Sequence, residues 1–311
     1  MENTAVVVNE LGAIGLDNLI IAQAIDNVVL LDAGCLCCVN PGALQETLAD
    51  LAGRRARGEI PPFQRVIVET SGVADPAPLL NVLLGHPLVT GQYTLEATVC
   101  VVDAQHFLDA RAKYPELDKQ AAFADRIVIT KGDLAEPESV LSFLKDLNPE
   151  AEVCSSTAES PALSVFSRLK KTIKAKSRIS SLGPLQSHGR GSSIRAFCFR
   201  PPEPVTWAGW SAWSRLVAAE FGARLIRVKG LLRMEDTGEI VFVQGVQGVF
   251  HAPQRFRDWP DAGTDRGNLL VCIARELREA DIVATLPALN TPAGIQANYS
   301  MRELQERQAP Q

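Results

Sequence analysis

Three thiols lie within four positions of this chain, in the run Gly34-Cys35-Leu36-Cys37-Cys38. An apolar run at 28–31 precedes them and predicts a strand, and side chains at a strand end can leave the core and converge on one point. Thiolates bind Zn²⁺, Cu(I) and similar ions, and three of them nearly complete a tetrahedral ligand set. We predict that Cys35, Cys37 and Cys38 hold a metal ion. The alternative is that small cysteines simply pack in a core.

A second group is Glu69-Thr70-Ser71-Gly72, which follows another apolar run. An acid at a strand end can support a Mg²⁺ shell, and a glycine three positions later can turn its amide towards a terminal phosphate. This is the arrangement of the Walker B and switch region in P-loop NTPases. We predict these catalytic roles for Glu69 and Gly72. Acid-x-x-Gly also occurs by chance, so the interpretation depends on the neighbouring motifs.

A third group, Thr130-Lys131-Gly132-Asp133, also follows an apolar run. It has the form of the guanine-reading loop of GTPases, normally Asn-Lys-x-Asp. In that loop the aspartate accepts from two guanine nitrogens and the lysine stem lies along the base. We predict that Thr130, Lys131 and Asp133 bind a guanine nucleotide. Threonine in place of asparagine removes an amide that braces the loop, so weaker specificity is expected. A solvated turn is the alternative.

The elements that position these groups are readable from the pattern of apolar residues. Short β-branched runs predict strands buried on both faces of a parallel sheet, at 5–8, 28–31, 66–68, 98–102 and 127–129. Helices are predicted from Pro41 through Leu51 and over 137–147. Alternating strands and helices indicate an α/β, doubly wound architecture. Ligands of such sheets bind at the carboxyl ends of the strands, where all three groups fall.

The second half of the chain changes character. A basic stretch followed by Gly/Ser-rich residues predicts a linker at 176–193, after a first domain at 1–175. A smaller α+β domain is predicted at 194–290, followed by a polar tail at 291–311. Its strands are expected at 194–199, 225–232, 240–244 and 269–273, with a helix at 207–220.

Composition limits the function classes. The net charge of -5 and a pI near 5.5 argue against a nucleic-acid partner or a membrane surface. Seven cysteines, four of them scattered, suggest a reducing compartment and no disulfide framework. We find neither a signal-peptide pattern nor an apolar run of membrane length, and we expect a cytoplasmic protein.

These motifs also carry a family resemblance. The segment Asn9-Glu10-Leu11-Gly12-Ala13-Ile14-Gly15-Leu16-Asp17, the cysteine run, residues 69–76 and residues 130–134 occur in the order and spacing of the CobW/YjiA family. The likeness continues through Val102-Asp103-Ala104, residues 122–126 and, in the second domain, residues 229–231 and 242–246. The chain therefore resembles SIMIBI-class P-loop GTPases that act as metal chaperones or insertases.

The resemblance implies a GTP-binding metal chaperone that couples GTP hydrolysis to transfer of zinc, or cobalt, to a client protein. Mg²⁺ and GTP would order residues 9–17 and so change the geometry of the thiols. Asp17 would help to place water or Mg²⁺, Glu69 would support Mg²⁺ through water, and Asp133 would read guanine with Lys131. The fourth metal ligand stays open between water, a client group and Glu10, and so does self-association.

One departure from the family is large. Its members begin with a strand and a Walker A loop, Gly-x-x-x-x-Gly-Lys-Ser/Thr, but none of the 22 glycines here is followed by lysine. We expect a P-loop NTPase-like sheet whose first strand and P-loop are missing, and weak GTP binding. Two accounts stay open. One is a shortened form of an ordinary GTPase, which the retained motifs favour. The other is a pseudo-GTPase that binds metal or a client without nucleotide turnover.

Overall fold

The structure is a computed structural model of the chain, and it describes residues 4–8, 41–72, 74–135, 137–156, 193–201, 203–259 and 267–294. These residues fall into two compact units. The first holds the described residues up to 96 together with 109–120, and the second holds 97–108 and the described residues from 121 onward. The predicted strand at 28–31 and almost all of the predicted linker lie outside the described residues.

Strands and helices alternate as far as β5, and strands dominate afterwards. The described strands are β1 (Thr4–Val8), β2 (Arg65–Glu69), β3 (Val99–Asp103), β4 (Arg126–Thr130), β5 (Glu152–Ser155), β6 (Ile194–Phe199), β7 (Leu225–Arg233), β8 (Ile240–Val246), β9 (Val249–Phe250), β10 (Gln254–Phe256) and β11 (Leu269–Arg275). The described helices are α1 (Pro41–Ala56), α2 (Pro76–Gly85), α3 (Pro87–Thr90), α4 (Phe107–Ala110), α5 (Glu116–Phe123), α6 (Glu138–Leu147), α7 (Trp207–Phe221) and α8 (Glu279–Val283). Among them, none is both long and apolar enough to cross a membrane.

In the first unit, β1 and β2 pair as parallel strands, in a register that sets Val8 opposite Glu69. The predicted strands at 5–8 and 66–68 are therefore confirmed. Helix α1 begins at the predicted proline and presents leucines at helical spacing to β1. The core that they form with Ala5 and Val7 includes Leu44, Leu48 and Leu51.

In the second unit, β3, β4 and β5 form a parallel sheet in that order, with Asp103 opposite Thr130. Strand β4 is buried from Arg126 to Ile129, as its apolar run predicted. Strand β3 lies at the edge of this sheet and its Val101 is 66% exposed. The prediction of burial on both faces is thus confirmed for β4 and wrong for β3, because Cys100 and Val102 are covered on one face of β3 while Val101 on the other face is exposed.

The C-terminal part of the second unit is an antiparallel sheet in the order β10-β8-β7-β11-β6, with β9 paired to β8. All of its predicted strands are confirmed. Helix α7 covers one face, and Trp210 and Trp213 lie in the core with ring centroids 5.5 Å apart. Trp210 and Trp213 are therefore core residues of this domain, and Trp207, at the start of α7, is partly buried against that core. Gly209 permits the close packing of α7, because a Cβ there would lie 1.8 Å from the carbonyl oxygen of Leu289.

A largely buried group of charges joins β7 to the residue that precedes β4. Asp125 accepts hydrogen bonds from Arg227 Nη2 at 2.7 Å, from Lys229 Nζ, and from the backbone N–H of Thr98 at 2.8 Å. Burial opposes ionisation of Asp125, but the charges of Arg227 and Lys229 outweigh it and hold the pKa of the carboxyl well below its ordinary value. Half-buried Glu150 is the second carboxyl near these cations, and burial raises its pKa to about 7. We call Asp125, Arg227, Lys229 and Glu150 the charge joint.

Candidate functional site

The predicted metal ligands Cys35, Cys37 and Cys38 lie outside the described residues, as does Asp17. Their roles stay predictions. Within the described ranges, no group of three or more His, Cys, Asp or Glu side chains could hold a metal ion. Burial also raises the pKa of Cys100 to about 12 and that of Cys198 to about 11, which keeps these thiols protonated at neutral pH.

Glu69 and Gly72 lie where the sequence predicted, at the carboxyl end of β2. Glu69 is the last residue of the strand and is exposed, and so is Gly72. The backbone then turns, with Ala74 N–H donating to the Ser71 carbonyl at 3.0 Å. Asp75 ends the segment as the N-cap of α2, accepting from Ala77 N–H at 3.1 Å. The segment is thus a strand-to-helix turn with an exposed carboxylate at its start.

Helix α5 contacts this turn through two side chains that the sequence analysis did not single out. Gln120 Nε2 donates to the carbonyl oxygens of Gly72 and Ala74 at 3.0 and 2.9 Å. Lys119 Nζ lies 2.6 Å from Asp75 Oδ2. No sequence signal points to either residue, because they lie more than 40 positions from the residues that they contact.

Thr130 attaches the loop after β4 to the neighbouring strand. Thr130 Oγ1 donates to the Val102 carbonyl on β3 at 3.2 Å, and the Thr130 carbonyl accepts from Ala104 N–H at 3.0 Å. Threonine therefore fastens the loop to the neighbouring strand, although it lacks the amide of asparagine. The Thr130 hydroxyl reaches this carbonyl because the parallel register brings it alongside, and the weaker guanine specificity expected from threonine stays a prediction.

Lys131 adopts a left-handed backbone conformation, with φ 56. Few residues other than glycine accept this region, and it occurs often at functional loops. Its ammonium Nζ lies 2.7 Å from Asp103 Oδ2 at the end of β3. The hydrogen bond from Lys131 lowers the pKa of Asp103, helped by the backbone N–H groups of Gln105 and His106. In the sequence, Asp103 stands out only as part of the family resemblance. In the structure its carboxylate contacts Lys131 of this loop.

Asp133 is exposed two residues beyond Lys131. Its carboxylate is therefore accessible to a ligand, as guanine recognition requires. Thr130, Lys131 and Asp133 thus belong to one short turn at the carboxyl end of a parallel strand in the second unit. Glu69 and Gly72 belong to a similar turn in the first unit.

Comparison with known proteins supplies the family. The sequence model of the CobW/HypB/UreG nucleotide-binding domain matches residues 1–155, and that of the cobalamin synthesis protein CobW C-terminal domain matches residues 194–290. Zinc chaperone YjiA of Escherichia coli is 27% identical over 292 residues, which cover 92% of this chain and 89% of that protein. Zinc chaperone YeiR of Escherichia coli is 34% identical over 139 residues, 44% of this chain and 40% of that protein.

The fold is shared with a solved structure. The crystal structure of Zn(II)-bound YjiA GTPase from E. coli superposes with a TM-score of 0.69 at 20% identity, covering 93% of this chain and 98% of that one. The two matched sequence models occur in the same order as the parallel and antiparallel sheets described above. The chain therefore belongs to the CobW family, with a nucleotide-binding domain followed by a CobW C-terminal domain.

Proposed function

We propose that this chain is a GTP-binding zinc chaperone that transfers the ion to a client protein, with GTP hydrolysis driving the transfer. The proposal is supported by the similarity to zinc chaperone YjiA, which extends over both domains. The nucleotide part of the proposal is supported by the match of this chain to the CobW/HypB/UreG nucleotide-binding domain. We propose that it acts in the cytoplasm, with the client and guanine nucleotide as its partners.

The single observation that supports binding of a guanine nucleotide is the turn after β4. Its exposed Asp133 offers two acceptor oxygens, which suit the two adjacent N–H donors on the edge of guanine. The Thr130 hydroxyl holds the turn on β3, and the Asp103 carboxylate holds the Lys131 ammonium. A turn fixed in this way loses little conformational freedom when a base binds, which favours binding.

The cargo part of the proposal depends on the three thiols. Zinc is the substrate here, and Cys35, Cys37 and Cys38 would bind it as thiolates. Cobalt fits the same ligands, and affinity order alone does not select between the two ions. Because the bound thiols must lose their protons, zinc affinity is expected to fall as the pH is lowered.

In the proposed mechanism, nucleotide state acts on the segment between β1 and the thiols. Strand β1 ends at Val8, beside Glu69, and the chain then continues through residues 9–17 towards the cysteine run. Mg²⁺ would neutralise phosphate charge, and Glu69 would hold its hydration shell. Residues 9–17 would become ordered around the nucleotide and change how the thiols are presented. Hydrolysis would reverse this order and release zinc to the client.

The test is a zinc titration of the reduced chain against a chromophoric chelator, with and without Mg-GTP, alongside a Cys37→Ala variant. We expect tight binding that is lost in the variant and altered by Mg-GTP. Cys100→Ala is the matched control, because that thiol is buried in β3. Absence of zinc binding would contradict the proposal.

A pseudo-GTPase is the second candidate, and one observation favours it. The pattern that holds nucleotide phosphates in P-loop proteins requires a glycine followed by lysine, and the 311 residues contain no such pair. Zinc binding that is tight but indifferent to Mg-GTP would support this candidate over the chaperone with turnover. Phosphate release measured under the same conditions separates turnover from binding.

A further inference from the structure

Helix α5 holds the turn that carries Glu69 and Gly72 by three hydrogen bonds from two consecutive residues. Gln120 spans the turn, because its single Nε2 donates to the carbonyl oxygens of both Gly72 and Ala74. Lys119 fixes the end of the turn through Asp75, whose other oxygen caps α2. We call Lys119 and Gln120 the α5 clamp.

The clamp requires hydrogen-bond donors. Carbonyl oxygens only accept hydrogen bonds, so the side chain that bridges two of them must offer two N–H groups. The –NH₂ group of Gln120 meets this requirement. A glutamate of the same size would present acceptor oxygens to acceptor oxygens, and the contact would turn from attraction to repulsion.

An ion pair between Arg111 and Asp118 holds the start of α5, next to the clamp. Asp118, the residue before Lys119, accepts from Arg111 Nε and Nη2, both at 2.7 Å. Both side chains of this pair are about one-tenth exposed, at 10% and 11%. Bidentate pairs of this kind are directional and hold both partners in one geometry. The start of α5 is therefore anchored independently of the turn that its next two residues hold.

The turn is open to solvent. Glu69, Thr70 and Gly72 are exposed, and a backbone hydrogen bond joins Ala74 N–H to the Ser71 carbonyl. An exposed turn of this type costs conformational entropy to order, and a ligand that needs it ordered bears that cost. The clamp reduces the cost before any ligand arrives.

We propose that Gln120 and Lys119 are positioning residues for the phosphate side of the nucleotide site. The inference rests on the proposed function together with the predicted role of Gly72, whose amide would face the terminal phosphate. The clamp sets the path of the Gly72 backbone, and it therefore favours a triphosphate over a diphosphate. Guanine recognition by Asp133 belongs to a different turn and is independent of the clamp.

The experiment compares the full chain with its Gln120→Glu, Gln120→Ala and Lys119→Met variants. Lys113→Met is the matched control, since Lys113 is an exposed lysine shortly before α5. Affinities for Mg²⁺ with a non-hydrolysable GTP analogue, and separately with GDP, are measured by calorimetry. Hydrogen exchange of peptides covering 69–76 is followed with and without each nucleotide.

We expect Gln120→Ala to lose about fivefold to twentyfold in analogue affinity, from one or two neutral hydrogen bonds, with GDP affinity unchanged. Gln120→Glu should lose more than Gln120→Ala, although the side chains match in size. Exchange at 69–76 should be faster in these variants without nucleotide, and the Lys113→Met control should match the parent. Urea midpoints of all variants show that they fold.

Two results overturn the inference, and they are distinguishable. Equal losses for the analogue and GDP, or no loss, with parent-like protection of 69–76 by the analogue, would show that the clamp has no positioning role. Absence of nucleotide binding and of protection in the parent chain would overturn the proposed function itself, and the inference with it.

Discussion

Replacing Asp125 by asparagine removes the only fully ionised carboxylate of the charge joint at neutral pH. Arg227 and Lys229 are then left as neighbouring cations with side chains 12% and 19% exposed. Removing one partner of a buried pair costs about 3–5 kcal/mol, because the remaining charge is uncompensated. The asparagine oxygen can still accept from Thr98 N–H, which places the expected loss near the lower end, about 3 kcal/mol at pH 7.

The cost of Asp125→Asn should depend on pH through Glu150. The folded-state pKa of Glu150, about 7, is raised above that of an unfolded glutamate. The folded state therefore binds the extra proton between roughly pH 4.5 and pH 7, and stability falls as the pH rises through that window. Asp125 is itself ionised in both states there and contributes no slope. Its negative charge raises the pKa of Glu150, so the variant should have a lower Glu150 pKa and a shallower slope.

Urea unfolding of parent, Asp125→Asn, Glu150→Gln and the double variant, from pH 5.5 to pH 8.5, tests this reasoning. All four tryptophans of the chain lie beyond residue 206, so their fluorescence reports the domain that carries Arg227 and Lys229. We expect the Asp125→Asn cost to be larger at pH 5.5 than at pH 8.5, by about 1.4 kcal/mol for each unit that the Glu150 pKa falls. A cost below about 1 kcal/mol, or a slope that survives Glu150→Gln, would refute the reasoning.

Three further predictions concern single residues. Asp133→Asn should exchange the guanine preference for xanthine, because an amide can donate to the additional base carbonyl, and competition between the two triphosphates measures this. Asp103→Asn should weaken guanine nucleotide binding severalfold by freeing Lys131, while a half-exposed pair contributes only about 0–1 kcal/mol to urea stability. Gly209→Ala should cost more than about 3 kcal/mol in urea unfolding, since its Cβ meets the Leu289 carbonyl at 1.8 Å. An unchanged urea midpoint for Gly209→Ala would contradict the last of these three predictions.

Apolar periodicity predicted the elements well where burial determines the structure. The β4 run is buried along its length, and the leucines of α1 lie in the core at the predicted spacing. Strand β5 was missed because its four residues, Glu152–Ser155, hold only two apolar side chains between polar ends. It pairs in parallel with β4, and a sequence contains no direct record of that pairing.

The polar contacts were harder to predict because they join distant parts of the chain. Asp125 and Lys229 are 104 positions apart, and Gln120 is 48 positions from Gly72. Nothing in the local sequence around either end of these contacts indicates which distant residue is its partner. The turn residues Glu69, Thr130 and Asp133 were predictable because each motif follows a strand directly, so local sequence alone sets its position.

The charge joint and the turn at Thr130–Asp133 lie at opposite ends of one strand. Asp125 immediately precedes β4 and Lys131 immediately follows it, about 20 Å apart over six residue steps at strand rise. Strand β4 pairs along its length with β3, and the Lys131–Asp103 contact closes that pairing at the nucleotide end. At the opposite end of the two strands, Thr98 N–H donates to the Asp125 carboxylate. A buried strand that is fastened at both ends deforms little, so β4 holds the turn and the charge joint at a fixed separation.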